Sequence, residues 1–194
     1  MENCIAAIAT ALAPAGLGVV RLSGKNAISI VDKFFKSSKK LESLKGYEAT
    51  YGKIFEEDDF LDDVVVLVFR APNSYTGEDV VEISCHGGLL ILERILKLCF
   101  KNGASPAKRG EFSKRAFLNG KLSLTEAEAV MDVVSASSSL FLKAANSVKN
   151  GDLNKKSKAV LDELVKIDAK IAVYLDYPEE DIEEINIEKT YLKI

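Results

Sequence analysis

Pro72-Asn73-Ser74-Tyr75-Thr76-Gly77-Glu78-Asp79-Val80-Val81-Glu82-Ile83-Ser84-Cys85-His86-Gly87-Gly88 carries a loop, a strand and the only histidine of the chain in one stretch. Pro72-Asn73 and Thr76-Gly77 are loop signals, because proline fixes φ and glycine admits positive φ. Val80, Val81 and Ile83 predict a strand over Asp79–Ser84, with Glu82 on the face opposite Val81 and Ile83. A strand that runs into paired glycines and then a helix builds a ligand-facing edge. It fixes one carboxylate, Glu82, on a rigid element beside a flexible loop.

Working outward, the segments on either side supply a mixed sheet. Ile5–Ala9 and Val19–Leu22 read as strands flanking a small-residue loop that ends in Gly16-Leu17-Gly18. Asn26–Phe35 has helical apolar spacing. Glu48–Phe55 and Asp63–Phe69 read as strands of a hairpin, with the acidic stretch Glu56–Asp59 between them. Leu89, Leu92, Ile95, Leu96 and Cys99 predict a helix over Leu89–Lys101, ended by Asn102-Gly103. Strands and helices in this order, with at least one hairpin, place residues 1–120 in the α+β class.

From residue 121 the pattern becomes all-helical. Ser123-Leu124-Thr125-Glu126 fits a capping box. No proline or glycine follows before Asn150-Gly151, and Leu153, Ser157, Val160, Leu164, Ile167, Ile171 and Tyr174 form one seam of a second helix, stopped at Pro178. The expectation over 121–194 is two antiparallel helices of roughly 25 residues each, packed by coiled-coil-like spacing. Glu183–Ile194 begins another amphipathic stretch without a cap, so the chain reads as cut rather than finished.

Composition narrows the chemistry. With 26 basic and 29 acidic side chains the net charge is −3, which argues against strong autonomous nucleic-acid binding but not against binding within an assembly. Cys4, Cys85 and Cys99 have no metal-type spacing, and one histidine cannot build a multi-histidine site, so no metal is expected. Met1-Glu2-Asn3-Cys4 lacks a basic leader and Ile5–Ala15 is too short to cross a bilayer, which points to the cytoplasm and away from a membrane.

Three ionic positions stand out, each with two readings. Arg21 lies inside a β-run and faces solvent, a carboxylate or an anionic ligand. Glu82 is either a solvent-facing strand residue or a carboxylate that accepts paired donors from a heterocycle. Lys121 sits in the Asn119-Gly120-Lys121 turn, where its ammonium is held near the junction of the two regions. His86 has no partner nucleophile at motif spacing and reads as a turn residue; no catalytic side chain is assigned. The basic cluster Lys108–Lys121 reads mostly as a solvated helix face, and the serine run Ser135–Ser139 as a site of close helix packing. No Gly-x-x-x-x-Gly-Lys-[Ser/Thr] phosphate loop occurs in the chain.

Four blocks in order give the chain a resemblance. They are Ile5–Thr10 leading to Gly18-Val19-Val20-Arg21-Leu22-Ser23-Gly24; Pro72–Gly88 with its Ser-Tyr-Thr-Gly-Glu-Asp core; Gly110-Glu111-Phe112 through Arg115-Ala116-Phe117-Leu118-Asn119-Gly120-Lys121-Leu122; and Thr125-Glu126-Ala127-Glu128-Ala129-Val130. Together with the acidic Asp176–Ile182, they resemble the N-terminal part of the MnmE (TrmE) family of tRNA-modification GTPases. Two positions depart from that pattern: Ala13-Pro14-Ala15 replaces a loop that usually holds an arginine or glutamate among glycines, and Lys108-Arg109 stands where the family has Arg-Pro.

The resemblance implies a fold similar to the folate-binding domain of glycine-cleavage T-proteins over 1–120, then the first part of a helical domain over 121–194. It implies a homodimer that binds 5,10-methylene-tetrahydrofolate or 5-formyl-tetrahydrofolate, with Arg21, Glu82 and Lys121 matching the folate-contacting residues by motif position. The implied activity belongs to the parent protein, a GTPase that works with the flavoprotein MnmG to add an aminomethyl-type group to wobble uridine 34 of tRNA. GTP, magnesium and potassium would be handled by a GTPase domain outside this chain, which alone is expected to be inactive on GTP. An alternative from another class is a ligand-free dimerisation and docking scaffold.

Overall fold

The structure, a computed structural model, describes residues 3–176. The expected stop at Pro178, the acidic run through Ile182 and the stretch Glu183–Ile194 lie outside the described residues. The chain divides into two compact units, Met1–Leu122 and Ser123–Ile194.

The first unit is an α+β fold built on a seven-stranded sheet. In chain order its elements are β1 (Ile5–Ile8), β2 (Ala15–Ser23), α1 (Ala27–Asp32), β3 (Phe35–Ser37), β4 (Glu48–Glu56), β5 (Asp59–Phe69), β6 (Val80–Gly87), α2 (Leu89–Lys101), β7 (Ser105–Pro106) and α3 (Glu111–Leu118). The strand order is β3-β4-β5-β6-β2-β1-β7. All pairs are antiparallel except β1 with β7.

Alternation along the strands sets the two faces. Val64, Val66 and Val68 of β5, Val81, Ile83 and Cys85 of β6, and Val20 and Leu22 of β2 are buried. They meet Ala27, Ile28, Ile30 and Val31 of α1 and Leu92, Ile95, Leu98 and Cys99 of α2, which form the core with them. Gly18 lets α2 approach β2 closely, because a Cβ there would lie 2.8 Å from a Leu92 methyl.

Several boundaries differ from the sequence reading. The glycine-rich Ala15–Gly18 is part of β2 rather than a loop, and the β2–β6 register shifts between Ala15 and Gly18. Gly87 lies opposite that irregularity, where a Cβ would come within 2.4 Å of the Ala15 carbonyl oxygen. The strand expected at Asp79–Ser84 runs on to Gly87, so His86 is a strand residue and not a turn residue. The helix expected through Phe35 stops at Asp32, because Phe35 pairs with Ile54 as the start of β3.

Among the described residues the second unit has three helices where two were expected: α4 (Leu124–Ser135), α5 (Ser139–Lys149) and α6 (Asp152–Asp176). The capping box is present in both halves, with the Ser123 hydroxyl accepting from Glu126 N and the Glu126 carboxylate accepting from Ser123 N. The serine run breaks the helix instead of packing it. Ser135 Oγ turns back to the Met131 carbonyl at 2.8 Å, Ala136 leaves the helix, and Ser138 Oγ caps α5 by accepting from Phe141 N. Serine hydroxyls offer the backbone these alternatives to helix bonds, which is why a proline-free and glycine-free stretch still breaks.

Candidate functional site

On the sheet face opposite α1 and α2, a row of residues crosses five strands. The registers align Ala7 of β1, Arg21 of β2, Glu82 of β6, Leu67 of β5 and Ala49 of β4. The next row holds Val19, Ser84, Val65 and Tyr51. Directly opposed residues in an antiparallel pair bring their Cβ atoms to about 5 Å. Arg21 and Glu82 use that proximity: Arg21 Nε donates to Glu82 Oε1 at 2.8 Å, and Arg21 Nη2 lies 2.7 Å from the same oxygen. Both are partly exposed, and no hydrogen bond reaches Glu82 Oε2 among the described residues. Small or apolar neighbours in the row leave a flat floor with one half-open carboxylate at its centre.

One end of this floor is covered. Ser23, which follows the pair on the same face of β2, is fully buried beneath Thr76 and Glu78, with Ser23 Oγ 2.7 Å from Thr76 Oγ1 and donating to Glu78 Oε2 at 2.7 Å. Asp79 braces the same loop, its Oδ1 accepting from Ala71 N at 2.9 Å. Behind it stands α3. Arg115, with a side chain only 5% exposed, sends Nη1 to both Glu78 oxygens at 3.1 Å and Nη2 to the Asn3 carbonyl at 2.9 Å and Glu111 Oε1 at 3.1 Å. Burial pulls the Arg115 pKa down, but the Glu111 and Glu78 hydrogen bonds outweigh it and hold the guanidinium above its usual range. The expected solvated face of the basic cluster is therefore wrong for Arg115, which is the hub of a buried network.

From this cover Phe112 of α3 presents its ring to Arg21, with the guanidinium carbon 5.7 Å from the ring centroid. Lys121 belongs to the same wall. Its Nζ donates to the Pro72 carbonyl at 3.1 Å, and its stem packs beside Gly77, where an added Cβ would lie 3.3 Å from Lys121 Cγ. Gly77 has φ +78, a conformation that L side chains rarely adopt, and Asn119 Nδ2 fixes the neighbouring Thr76 carbonyl at 2.7 Å.

The structure thus pairs Arg21 with Glu82 on the floor. It sets Lys121 on the wall that closes one end, with its own hydrogen bond to the loop. Phe112, Glu78 and Arg115 complete the surroundings. Sequence reasoning missed all three as site elements, although all three lie inside the quoted blocks.

His86 is held by a buried carboxylate that alternation did not reveal. Asp62 accepts from His86 N at 2.9 Å and lies 2.7 Å from His86 Nδ1, while the imidazole is 68% exposed. The three cysteines are buried and free, and burial pushes the thiols of Cys4 and Cys85 up to about 11 and that of Cys99 up to about 12. Among the described residues no group of three or more histidine, cysteine, aspartate or glutamate side chains is placed to hold a metal ion. No helix among them is long and apolar enough to cross a membrane.

Comparison with known proteins covers both units. Residues 4–121 match the family model described as GTP-binding protein TrmE N-terminus, and residues 124–194 match the MnmE helical domain. Among curated proteins, the tRNA modification GTPase MnmE of Alkaliphilus metalliredigens is 45% identical over 192 residues, covering 97% of this chain and 42% of the relative. Its counterpart in Carboxydothermus hydrogenoformans is 46% identical with the same coverage, and that of Clostridioides difficile is 42% identical over 187 residues. The chain spans about two fifths of the length of the curated relatives it matches. On the match over 4–121, followed directly by the helical-domain match, the chain belongs to the TrmE N-terminus family, as the ordered sequence blocks had implied.

Proposed function

We propose that this chain binds a one-carbon tetrahydrofolate on the open sheet face and serves as the N-terminal portion of a tRNA-modification GTPase. The observation that carries the reading is the Arg21–Glu82 pair on a flat, largely apolar floor beside Phe112. A reduced pterin offers adjacent ring N–H and amino donors, which suit a carboxylate whose second oxygen accepts no other bond. Arg21 holds Glu82 in place from one side and leaves the other side to the ligand. Lys121, tethered to the loop at Pro72, supplies a cation for the anionic glutamate tail. When bound, the folate supplies an activated one-carbon unit, 5,10-methylene-tetrahydrofolate being the donor form. The chain's own residues position it, and none need exchange a proton with it.

In this reading the first unit also forms the homodimer, and the flavoprotein MnmG is the partner with which the parent protein modifies wobble uridine 34 of tRNA in the cytoplasm. GTP hydrolysis, with its magnesium and potassium, resides in the part of the relatives that this chain does not span. The names of those relatives, tRNA modification GTPase, support the tRNA and GTPase part of this reading.

Calorimetric titration with 5-formyl-tetrahydrofolate tests the ligand. The chain is expected to bind, and Glu82→Ala to weaken binding about 10- to 100-fold, the range of a lost charge-assisted hydrogen bond. Unchanged affinity in Glu82→Ala removes that residue from the site. A dimer in sedimentation that ignores folate altogether replaces the reading with a ligand-free scaffold.

A further inference from the structure

Residues 101–121 hold six cations and one carboxylate, although the whole chain carries a net charge of −3. Within that segment a cleft of about 440 Å³ is lined by Lys108, Arg109, Glu111, Lys114, Arg115 and Leu118. None of the three folate candidates lines it. Arg115 and Glu111 are committed to each other, and Glu111 also accepts from Lys108 N at 2.7 Å; that backbone bond, then Arg115, holds its carboxyl below the usual range. The side chains of Lys108, Arg109 and Lys114 are exposed and make no hydrogen bond or ion pair among the described residues. Three exposed cations therefore rim a cleft whose one lining acid is already paired with Arg115.

We infer that this cleft is where the phosphodiester backbone of RNA docks on the first unit. The inference rests on the reading that the protein acts on tRNA, and it names the surface of this chain that meets it. Backbone phosphates are met by mobile Lys and Arg side chains that displace condensed counterions, which needs charge and access rather than a fitted pocket. Outside residues 101–121 the chain carries 20 cations against 28 carboxylates, an acidic balance that favours this patch for a polyanion. Guanidinium and ammonium groups along a short arc match successive phosphates, whereas a single small phosphate would engage only part of the rim.

The test measures binding of labelled unmodified tRNA and of a short oligouridylate to the chain between about 50 and 200 mM salt. It compares the wild type with the triple variant Lys108→Ala/Arg109→Ala/Lys114→Ala. The wild type is expected to bind with a steep salt dependence, and the triple variant to lose at least about tenfold in affinity and about 2 to 3 from the slope of log K against log salt. A charge-conserving Lys108→Arg/Lys114→Arg variant keeps binding. Folate titration of the triple variant stays at the wild-type value, which separates a lost RNA site from a lost fold.

Wild-type binding that the triple variant retains, with the same slope, overturns the cleft and leaves the tRNA reading standing. Absence of tRNA binding by the wild type at the lowest salt overturns the cleft and leaves the tRNA reading to the parent protein with MnmG. Displacement of tRNA by an equimolar concentration of tripolyphosphate assigns the cleft to small phosphates and overturns RNA.

Discussion

Arg115→Met is the substitution that tests whether the wall of the site is held as described. The guanidinium bridges Glu78, Glu111 and the Asn3 carbonyl from a position with 5% side-chain exposure, while the two carboxylates are 20% and 19% exposed. Methionine fills similar volume but leaves Glu78 and Glu111 without their cation. Removing one partner of a buried pair costs about 3–5 kcal/mol, and the partial exposure of both carboxylates puts this case at the low end, about 3 kcal/mol. With a urea m-value of about 1.5–3 kcal/mol/M for a unit of this size, the midpoint of the first unit falls by about 1–2 M in circular dichroism. Arg115→Lys recovers little, because one ammonium cannot reach Glu78 through one nitrogen and Asn3 through another. Adding Glu78→Gln to Arg115→Met recovers part of the loss, since an amide is cheaper to bury unpaired than a carboxylate. The reasoning is refuted if Arg115→Met costs less than about 1 kcal/mol, or if the double variant is as unstable as the sum of the two singles. A loosened loop also frees the Pro72 carbonyl that anchors Lys121, so on the proposed folate reading ligand affinity is expected to fall with stability.

The buried thiols give a second measurement. With folded values near 11, 11 and 12, raised chiefly by burial, Cys4, Cys85 and Cys99 react with a thiol reagent at neutral pH only as fast as the protein unfolds. Their folded pKa lies above the unfolded value of 9.0, so the unfolded chain loses thiol protons first, and stability declines as pH rises from 9.0 towards 11 and 12. At the acid end the sign reverses: Glu126 and Glu111 are held below 4.5, chiefly by backbone hydrogen bonds from Ser123 and Lys108. Their contribution is complete above 4.5 and is lost as pH falls through the lowered folded values. Ser123→Ala, which costs about 1 kcal/mol in the second unit, keeps the Ser123 N–H that is the first cause of the Glu126 shift, so most of the acid loss due to Glu126 persists.

How much of this the sequence disclosed depends on the range over which each interaction acts. The capping box at Ser123 spans three residues and was legible, as was the helix over Leu89–Lys101, whose apolar spacing and Asn-Gly ending are local. The Ser135–Ser139 break was equally local, yet its composition supports both a packed helix and two helices with a cap between them. Only the hydroxyl directions decide. Arg115 was out of reach for a different reason. Its position in an amphipathic, cation-rich helix is the pattern of a solvated face, and the partners that bury it lie 37 and 112 residues away. Asp62 escaped because a carboxylate on the buried side of a strand contradicts alternation, and its role as the clamp of His86 spans 24 residues.

The two principal candidate site residues sit between these cases. Each was readable as an ion on a strand, and neither sequence position disclosed the other, 61 residues away. The register makes them one object, and that changes what each can do. An isolated strand carboxylate samples several rotamers and loses that freedom when a ligand orders it. Glu82 has already lost it to Arg21, through two contacts to a single oxygen, so the free oxygen has a fixed direction before any donor arrives. Arg21 need not touch a pterin to matter: its removal returns Glu82 to a mobile, unpaired carboxylate. Arg21→Ala therefore weakens ligand binding through Glu82, and in a variant that already lacks the Glu82 carboxylate the same substitution has little left to remove. That non-additivity is the signature of a pair acting as one acceptor.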